Sequence, residues 1–174
     1  MWCVAELTPE YVKRMEDVLD LYAKPLNPKE PVVCLDESPI QLLADARECI
    51  PAKKPGEILK RDSEYVRHGT ANVFAIVEPK AGKHLTTITK NRKGPKFAQM
   101  LAKIDQAYPE AETIHLVMDN LNTHGKKPVA AFFGEKLGEE LWNRFTPHFT
   151  PKHGSWLNQA EIEIGIFRRQ CLGK

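Results

Sequence analysis

Two short apolar runs, each followed directly by an aspartate, constrain the fold of this chain more than any other feature of its sequence. Residues 31–35 have the sequence PVVCL and precede Asp36, and residues 113–118 have the sequence TIHLVM and precede Asp119. Short apolar runs of this kind are typical of strands that are buried in the middle of a sheet. If the two strands are parallel neighbours, their carboxyl ends lie at one sheet edge, where ligand sites of open α/β sheets are found.

The rest of the chain alternates between helical and strand-like patterns. Apolar residues at helical spacing predict four helices, over residues 8–23, 94–106, 128–142 and 156–171. Further extended segments are predicted over residues 72–77, 84–89 and 144–150. A turn at residues 79–82 joins the first two of these segments into a hairpin, and the polar residues 51–69 are expected to form a loop or a weak edge strand.

This order of elements predicts an α/β fold with a mixed central sheet flanked by helices. A length of 174 residues fits one domain rather than two. We expect residues 1–30 to form an N-terminal helix and a proline-containing linker, and residues 31–174 to form the core.

Composition excludes several classes of protein. No apolar run approaches the roughly 20 residues of a membrane span, and the first residues lack the basic and apolar regions of a signal peptide. No two of the four cysteines form a C-x-x-C pair, which argues against a zinc or redox site and predicts reduced, mostly buried thiols: Cys3, Cys34, Cys49 and Cys171.

Basic residues are concentrated in one segment although the net charge is only +2. Residues 80–103 contain seven of them: Lys80, Lys83, Lys90, Arg92, Lys93, Lys96 and Lys103. Such a cluster can follow a phosphate backbone, and the alternative is an ordinary solvated surface.

Three short sequences occur in a characteristic order. They are LDES at residues 35–38, MDNLNTH at residues 118–124 and GSWLNQAE at residues 154–161. With these motifs the chain resembles, over nearly its whole length, the DDE transposases of the mariner-like superfamily, in particular the bacterial insertion-sequence branch. The resemblance implies a ribonuclease-H-like fold and a catalytic triad of Asp36, Asp119 and Glu161.

The same resemblance implies a function that suits three carboxylates. Hard divalent cations such as Mg²⁺ prefer oxygen ligands, and two such ions can stabilise both the attacking and the leaving oxygen in phosphoryl transfer. We therefore expect two Mg²⁺ or Mn²⁺ ions, with Asp36 bound to both, Asp119 to one and Glu161 to the other. The expected reaction is cleavage of DNA at transposon ends followed by strand transfer to target DNA, by a homodimer in the bacterial cytoplasm, associated with the nucleoid.

Several site assignments remain open in the sequence. Glu163 lies about 200° around a helix from Glu161, so only one of them can face the site, and the end of the motif favours Glu161. Glu37 is expected on the opposite face of a continuing strand, as a surface or hydrogen-bonding residue. Trp156 is expected to pack under the last helix rather than to contact DNA.

The basic and polar residues near the motifs are predicted to bind DNA. The predicted contacts are Lys90, Arg92, Lys93, Lys96, His124 and Lys152. For His124 and its neighbour Asn120, a role in supporting the metal site and a purely local role in the loop are alternatives to a phosphate contact.

Two other functions are compatible with the pattern. One is a different ribonuclease-H-like nuclease, such as a junction resolvase, which the GSWLNQAE motif disfavours. The other is a non-catalytic transposase remnant that only binds DNA or a full-length partner.

No helix-turn-helix module fits into the 35 residues before Asp36. We therefore expect a C-terminally truncated core without its end-binding domain, in the form of a fragment, a decayed copy or one frame of a split gene.

Overall fold

The computed structural model describes residues 6–172, which form five strands and five α-helices in one α/β arrangement. The elements in chain order are α1 (Pro9–Ala23), β1 (Val32–Asp45), β2 (Tyr65–Glu78), β3 (Lys83–Thr89), α2 (Gly94–Ala107), β4 (Ile114–Met118), α3 (Lys126–Phe133), α4 (Glu135–Trp142), β5 (Phe145–Phe149) and α5 (Ala160–Cys171). Helix α1 begins where its sequence predicts, because the Thr8 hydroxyl accepts a hydrogen bond from the Tyr11 backbone and caps the first turn.

The strands form one mixed sheet, as predicted, and their order in it is β3-β2-β1-β4-β5. Strands β1, β2 and β3 are antiparallel neighbours, whereas β4 is parallel to both β1 and β5. In the parallel pair, Cys34 of β1 lies opposite Val117 of β4. Asp36 and Asp119 each lie two residues further along, so they occupy matching positions, Asp36 within β1 and Asp119 directly after β4.

Two apolar clusters cover the two faces of the sheet. Phe97, Leu101 and Ile104 of α2 are fully buried against one face, together with Leu35 of β1. The other face is covered by α1 and α5, with Val18 and Leu21, Ala160 and Ile164 packed around Cys34 and Val117. Because side chains alternate along a strand, Leu35 and Glu37 face α2, whereas Cys34 and Asp36 face α5.

The first two strands are longer than the sequence predicts. Strand β1 does not end at Asp36 but continues to Asp45, and β2 begins at Tyr65 rather than at residue 72. The extensions pair with each other as a two-stranded ribbon, from Pro39 opposite Asn72 to Asp45 opposite Tyr65. Their side chains are largely exposed, so the apolar pattern that identifies the buried parts is missing here.

Two predicted helices have different boundaries in the structure. The single helix expected over residues 128–142 is two helices, because Gly134 adopts φ 86°, which favours glycine and interrupts α3 before α4. The last helix begins at Ala160 rather than at residue 156, and a short 3₁₀ turn, Ser155–Leu157, precedes it. In that turn Trp156 is 60% exposed, so the expectation that it packs under the last helix was wrong.

The remaining sequence predictions concern thiols and membranes. Cys34 is buried, Cys49 is partly buried and Cys171 is exposed, whereas Cys3 lies outside the described residues. All three described cysteines are free thiols, but only one of them is buried as expected. Within residues 6–172, no helix combines the length and apolar character needed to cross a membrane.

Candidate active site

Asp36 lies on β1 at the point where this strand extends beyond the parallel strand β4. Its Oδ1 atom accepts a hydrogen bond of 2.8 Å from the Glu37 backbone N–H. Burial, together with the nearby carboxylates of Glu37, Glu161 and Asp119, raises the pKa of the Asp36 carboxyl group to about 7 despite this hydrogen bond. Asp36 therefore lies in a region of excess negative charge to which all three predicted triad residues contribute.

Asp119 follows β4 directly and is fixed by its own loop. Its Oδ1 atom accepts a hydrogen bond of 3.3 Å from the Leu121 backbone N–H and lies 2.6 Å from Nδ1 of His124. Both contacts involve the same oxygen atom. The loop therefore limits how the Asp119 carboxylate can rotate.

Glu161 lies in the first turn of α5, and Asn158 connects the start of this helix to β1. The Asn158 side chain donates a hydrogen bond of 2.8 Å to the Leu35 carbonyl, and it accepts one of 3.1 Å from the Ala160 backbone. Asn158 is buried, so this link beside Asp36 is shielded from water. Asn158 is not among the residues predicted from the sequence, although its position in the GSWLNQAE motif is a signal.

Glu163 is directed elsewhere, as expected from its place on the helix. Its carboxylate lies 3.3 Å from Nδ1 of His84 on β3. Glu161, and not Glu163, is among the carboxylates that raise the pKa of Asp36. The geometry thus favours Glu161 as the third acidic residue, which remains a prediction.

The donors at this edge fit a divalent cation of the Mg²⁺ type. Among residues 6–172 no three His, Cys, Asp or Glu side chains form a ready-made metal cage. Mg²⁺ does not require such a cage, since it keeps several water ligands and binds through one or two carboxylates plus the substrate's phosphate oxygens. A cation here would also neutralise the negative charge that disfavours ionisation of Asp36.

His124 and Glu37 lie on the opposite side of the sheet edge, between β1 and α2. Each side chain is only 1% exposed, and His124 Nε2 lies 3.4 Å from Oε2 of Glu37. Burial by itself lowers the pKa of His124, but the contacts with the carboxylates of Asp119 and Glu37 raise it to about 9. Glu37 lies on the opposite face of β1 from Asp36, as expected, but the expectation that it is a surface residue was wrong, because it is a buried ion-pair partner of His124.

Comparison with known protein families identifies the group to which this chain belongs. A family model described as "DDE superfamily endonuclease" matches residues 31–174. The chain belongs to the DDE superfamily of endonucleases. A comparison with curated proteins gives no match.

Solved structures with the same fold include complexes of the Mos1 mariner transposase. The Mos1 strand transfer complex has a TM-score of 0.60 and 14% identity, and the match covers 99% of this chain and 51% of the Mos1 chain. The Mos1 paired end complex with Mn has a TM-score of 0.57 and 14% identity, with 99% and 52% covered. This DDE domain thus has the ribonuclease-H-like fold that the sequence predicted, and it spans about half the length of the Mos1 chain.

The basic residues predicted to bind DNA have different environments in this DDE domain. Lys90, Arg92 and Lys93 are exposed between β3 and α2, and Arg92 lies 3.6 Å from Oε1 of Glu37. Lys96 is half-buried and donates a hydrogen bond to Gln99. Lys90, Arg92 and Lys93 are therefore accessible from the surface, and their binding to DNA remains a prediction.

Of the remaining predicted contacts, Lys152 is exposed and His124 is not. Lys152 lines an open cleft of about 1020 Å³ beside Asp119, together with Tyr11 of α1 and His153. The prediction that His124 contacts DNA does not fit the structure, because its side chain is enclosed by Phe97, Glu37 and Asp119.

Proposed function

We propose that this chain is the catalytic domain of a DNA transposase, which cleaves phosphodiester bonds at transposon ends and joins them to target DNA. The observation that carries the proposal is the position of Asp36, Asp119 and Glu161 on three separate elements at one sheet edge, where the carboxylates of Asp119 and Glu161 raise the pKa of Asp36. Carboxylates that repel one another without a cation are suited to bind divalent metal ions.

The proposed reaction assigns separate tasks to the residues of the site. The three carboxylates would hold two Mg²⁺ or Mn²⁺ ions, which when bound neutralise the charge that develops on the phosphate. The fixed loop of Asp119 and the Asn158 link between α5 and β1 hold these carboxylates in place. The exposed residues Lys90, Lys93 and Lys152 position the DNA backbone without reading its sequence.

Further features of the proposal follow from the relatives and from the motifs. The Mos1 structures include a paired-end complex with a transposon end, a strand transfer complex and complexes with Mn and Mg. We propose transposon ends, target DNA and a second copy of the protein as the partners of this chain. We also propose membership of the bacterial insertion-sequence branch, with a cytoplasmic, nucleoid-associated location.

A nicking assay tests the proposed activity directly. The chain is incubated with supercoiled plasmid and increasing Mg²⁺ or Mn²⁺, with Ca²⁺ and EDTA as controls. We expect nicking that depends on Mg²⁺ or Mn²⁺ and is absent in EDTA, because the carboxylates alone cannot activate water at a phosphodiester. DNA binding without nicking in either metal would contradict the activity and would favour the non-catalytic remnant.

DNA binding is expected to be weak, tolerant of sequence and sensitive to salt. Log affinity falls as log salt rises, and the steepness of this fall increases by about one unit for each phosphate contact. Replacing Lys90, Lys93 and Lys152 by Gln should therefore reduce the magnitude of the slope by up to about 3. Fluorescence anisotropy with a random duplex at a series of salt concentrations measures this slope.

A matched triple variant controls for the change in net charge. Replacing the exposed residues Lys13, Lys54 and Lys136 by Gln makes the same change in charge outside the predicted contacts. An equal decrease in the magnitude of the slope in both triple variants would show that the three predicted lysines have no special part in binding. Specific binding to one DNA sequence in excess random competitor would contradict the expected tolerance of sequence.

A further inference from the structure

The buried pair of Glu37 and His124 is unexplained by the proposed reaction. Both side chains lie on the α2 face of β1, whereas Asp36 faces α5. The two side chains are 1% exposed, and the His124 ring stacks on Phe97 with 4.6 Å between ring centroids. Neither residue can therefore meet DNA or a metal ion directly from this position.

Burial of this pair is costly if its only task is to stabilise the fold. A carboxylate removed from water loses several kcal/mol of hydration free energy. Only close pairing and hydrogen bonds offset this loss. Glu37 has only ionic contacts, at 3.4 Å to His124 and 3.6 Å to Arg92, and its oxygens accept no hydrogen bond from residues 6–172. Apolar residues of similar size often stabilise such a site equally well or better, so a role beyond stability is indicated.

The contacts of His124 show that the pair acts on Asp119. His124 Nδ1 contacts Oδ1 of Asp119, which also accepts the Leu121 N–H, while Nε2 faces Glu37. Glu37 thus lies behind the imidazole and favours the orientation in which Nδ1 faces Asp119. Residues that hold a metal ligand in this way typically change metal affinity about 10- to 100-fold when they are removed.

We propose that His124 and Glu37 are positioning residues. They lie on the face of the sheet opposite to Asp36 and orient the Asp119 carboxylate for binding the metal ion. This inference rests on the proposed function, because it takes Asp119 to be a metal ligand. His124 acts on Asp119, and Glu37 acts through His124.

The test measures metal binding rather than cleavage. The double variant Glu37→Leu, His124→Phe replaces the buried polar pair by apolar residues and retains an aromatic ring beside Phe97. We expect the affinity for Mn²⁺, measured by electron paramagnetic resonance titration, to fall about 10- to 100-fold. The melting temperature in metal-free buffer is expected to stay the same or rise, which a purely structural role of the pair does not predict.

Two single variants keep the proposal testable if the double variant does not fold. Asn places its amide group near the position of imidazole Nδ1, and Gln places it near Nε2. His124→Asn should therefore retain more of the wild-type affinity for Mn²⁺ than His124→Gln, because only the former keeps a donor beside Asp119. Equal Mn²⁺ affinity in these two variants would overturn the proposal.

The outcomes for the wild-type protein separate this inference from the proposed function. Wild-type binding of Mn²⁺ that the folded double variant retains in full would overturn the positioning role alone. A wild-type chain that binds no Mn²⁺ would overturn the proposed metal site and the positioning role together.

Discussion

Replacing Asp119 by Asn is expected to lower the rate of metal-dependent DNA nicking by at least about 10³-fold, which corresponds to about 4 kcal/mol of transition-state stabilisation. The physical reason is that the neutral amide removes a charged oxygen ligand from a site whose chemistry depends on divalent cations. The fold should be retained, because Asn keeps an oxygen atom that can accept the Leu121 N–H and face His124. Single-turnover nicking of a supercoiled plasmid in Mn²⁺ measures the rate.

Glu163→Gln provides a matched control for this variant. It makes the same chemical change, from carboxylate to amide, on the helix that carries Glu161. The Glu163 carboxylate pairs with His84 on β3, so its loss should change the nicking rate by no more than about twofold. A rate for Asp119→Asn within tenfold of the wild-type rate would contradict the role assigned to Asp119.

The central part of the fold could be predicted because burial leaves a strong pattern in the sequence. The parts of β1 and β4 that precede Asp36 and Asp119 are buried on both faces, so their apolar runs identify them and place both aspartates at one sheet edge. The extensions of β1 and β2 have no such pattern, because each pairs with the other in an exposed ribbon. Their length depends on this long-range pairing, which periodicity along the chain does not report.

The break between α3 and α4 illustrates a different limit. Apolar spacing continues across Gly134, so the pattern predicts one helix, but the positive φ of Gly134 allows the chain to turn. Gly138 then packs closely against α3, where a Cβ atom would lie 2.5 Å from Cα of Ala130. This close contact between the two helices leaves no room for a side chain at residue 138, and it becomes visible only in three dimensions.

The proposed acidic residues were easier to identify in the sequence than the residues that surround them. Asp36, Asp119 and Glu161 are part of recognisable motifs, and the structure brings them to one sheet edge. Glu37 has the sequence context of an exposed residue, since charged residues are rarely buried. Its burial depends on His124 and Arg92, which are distant along the chain, so no local signal in the sequence predicts this arrangement.

Replacing Asp36 by Asn is expected to stabilise the metal-free protein at pH 8. Burial and the neighbouring carboxylates raise the pKa of Asp36 to about 7 in the folded protein, from an ordinary value of 3.8. The folded state therefore binds more protons than the unfolded state between these values, so the contribution of Asp36 to stability falls as the pH rises from about 4 to about 7. Asn does not titrate, so the variant should gain about 2–4 kcal/mol of unfolding free energy over the wild type at pH 8.

The pH and metal dependence of this difference identify its cause. Urea denaturation in EDTA should show a difference between Asp36→Asn and the wild type that is near zero at pH 4, where the folded wild-type carboxyl group is protonated, and largest at pH 8. Saturating Mg²⁺ should reduce or reverse the difference, because metal binding stabilises only the wild type, which retains the Asp36 carboxylate as a metal ligand. Asp20→Asn, a change at an exposed position on α1, should alter stability by less than about 0.5 kcal/mol at either pH. If the Asp36→Asn variant is less stable than the wild type at pH 8 in EDTA, Asp36 has a structural role. The charge of Asp36 would then not destabilise the metal-free protein, and metal binding would have no such destabilisation to relieve.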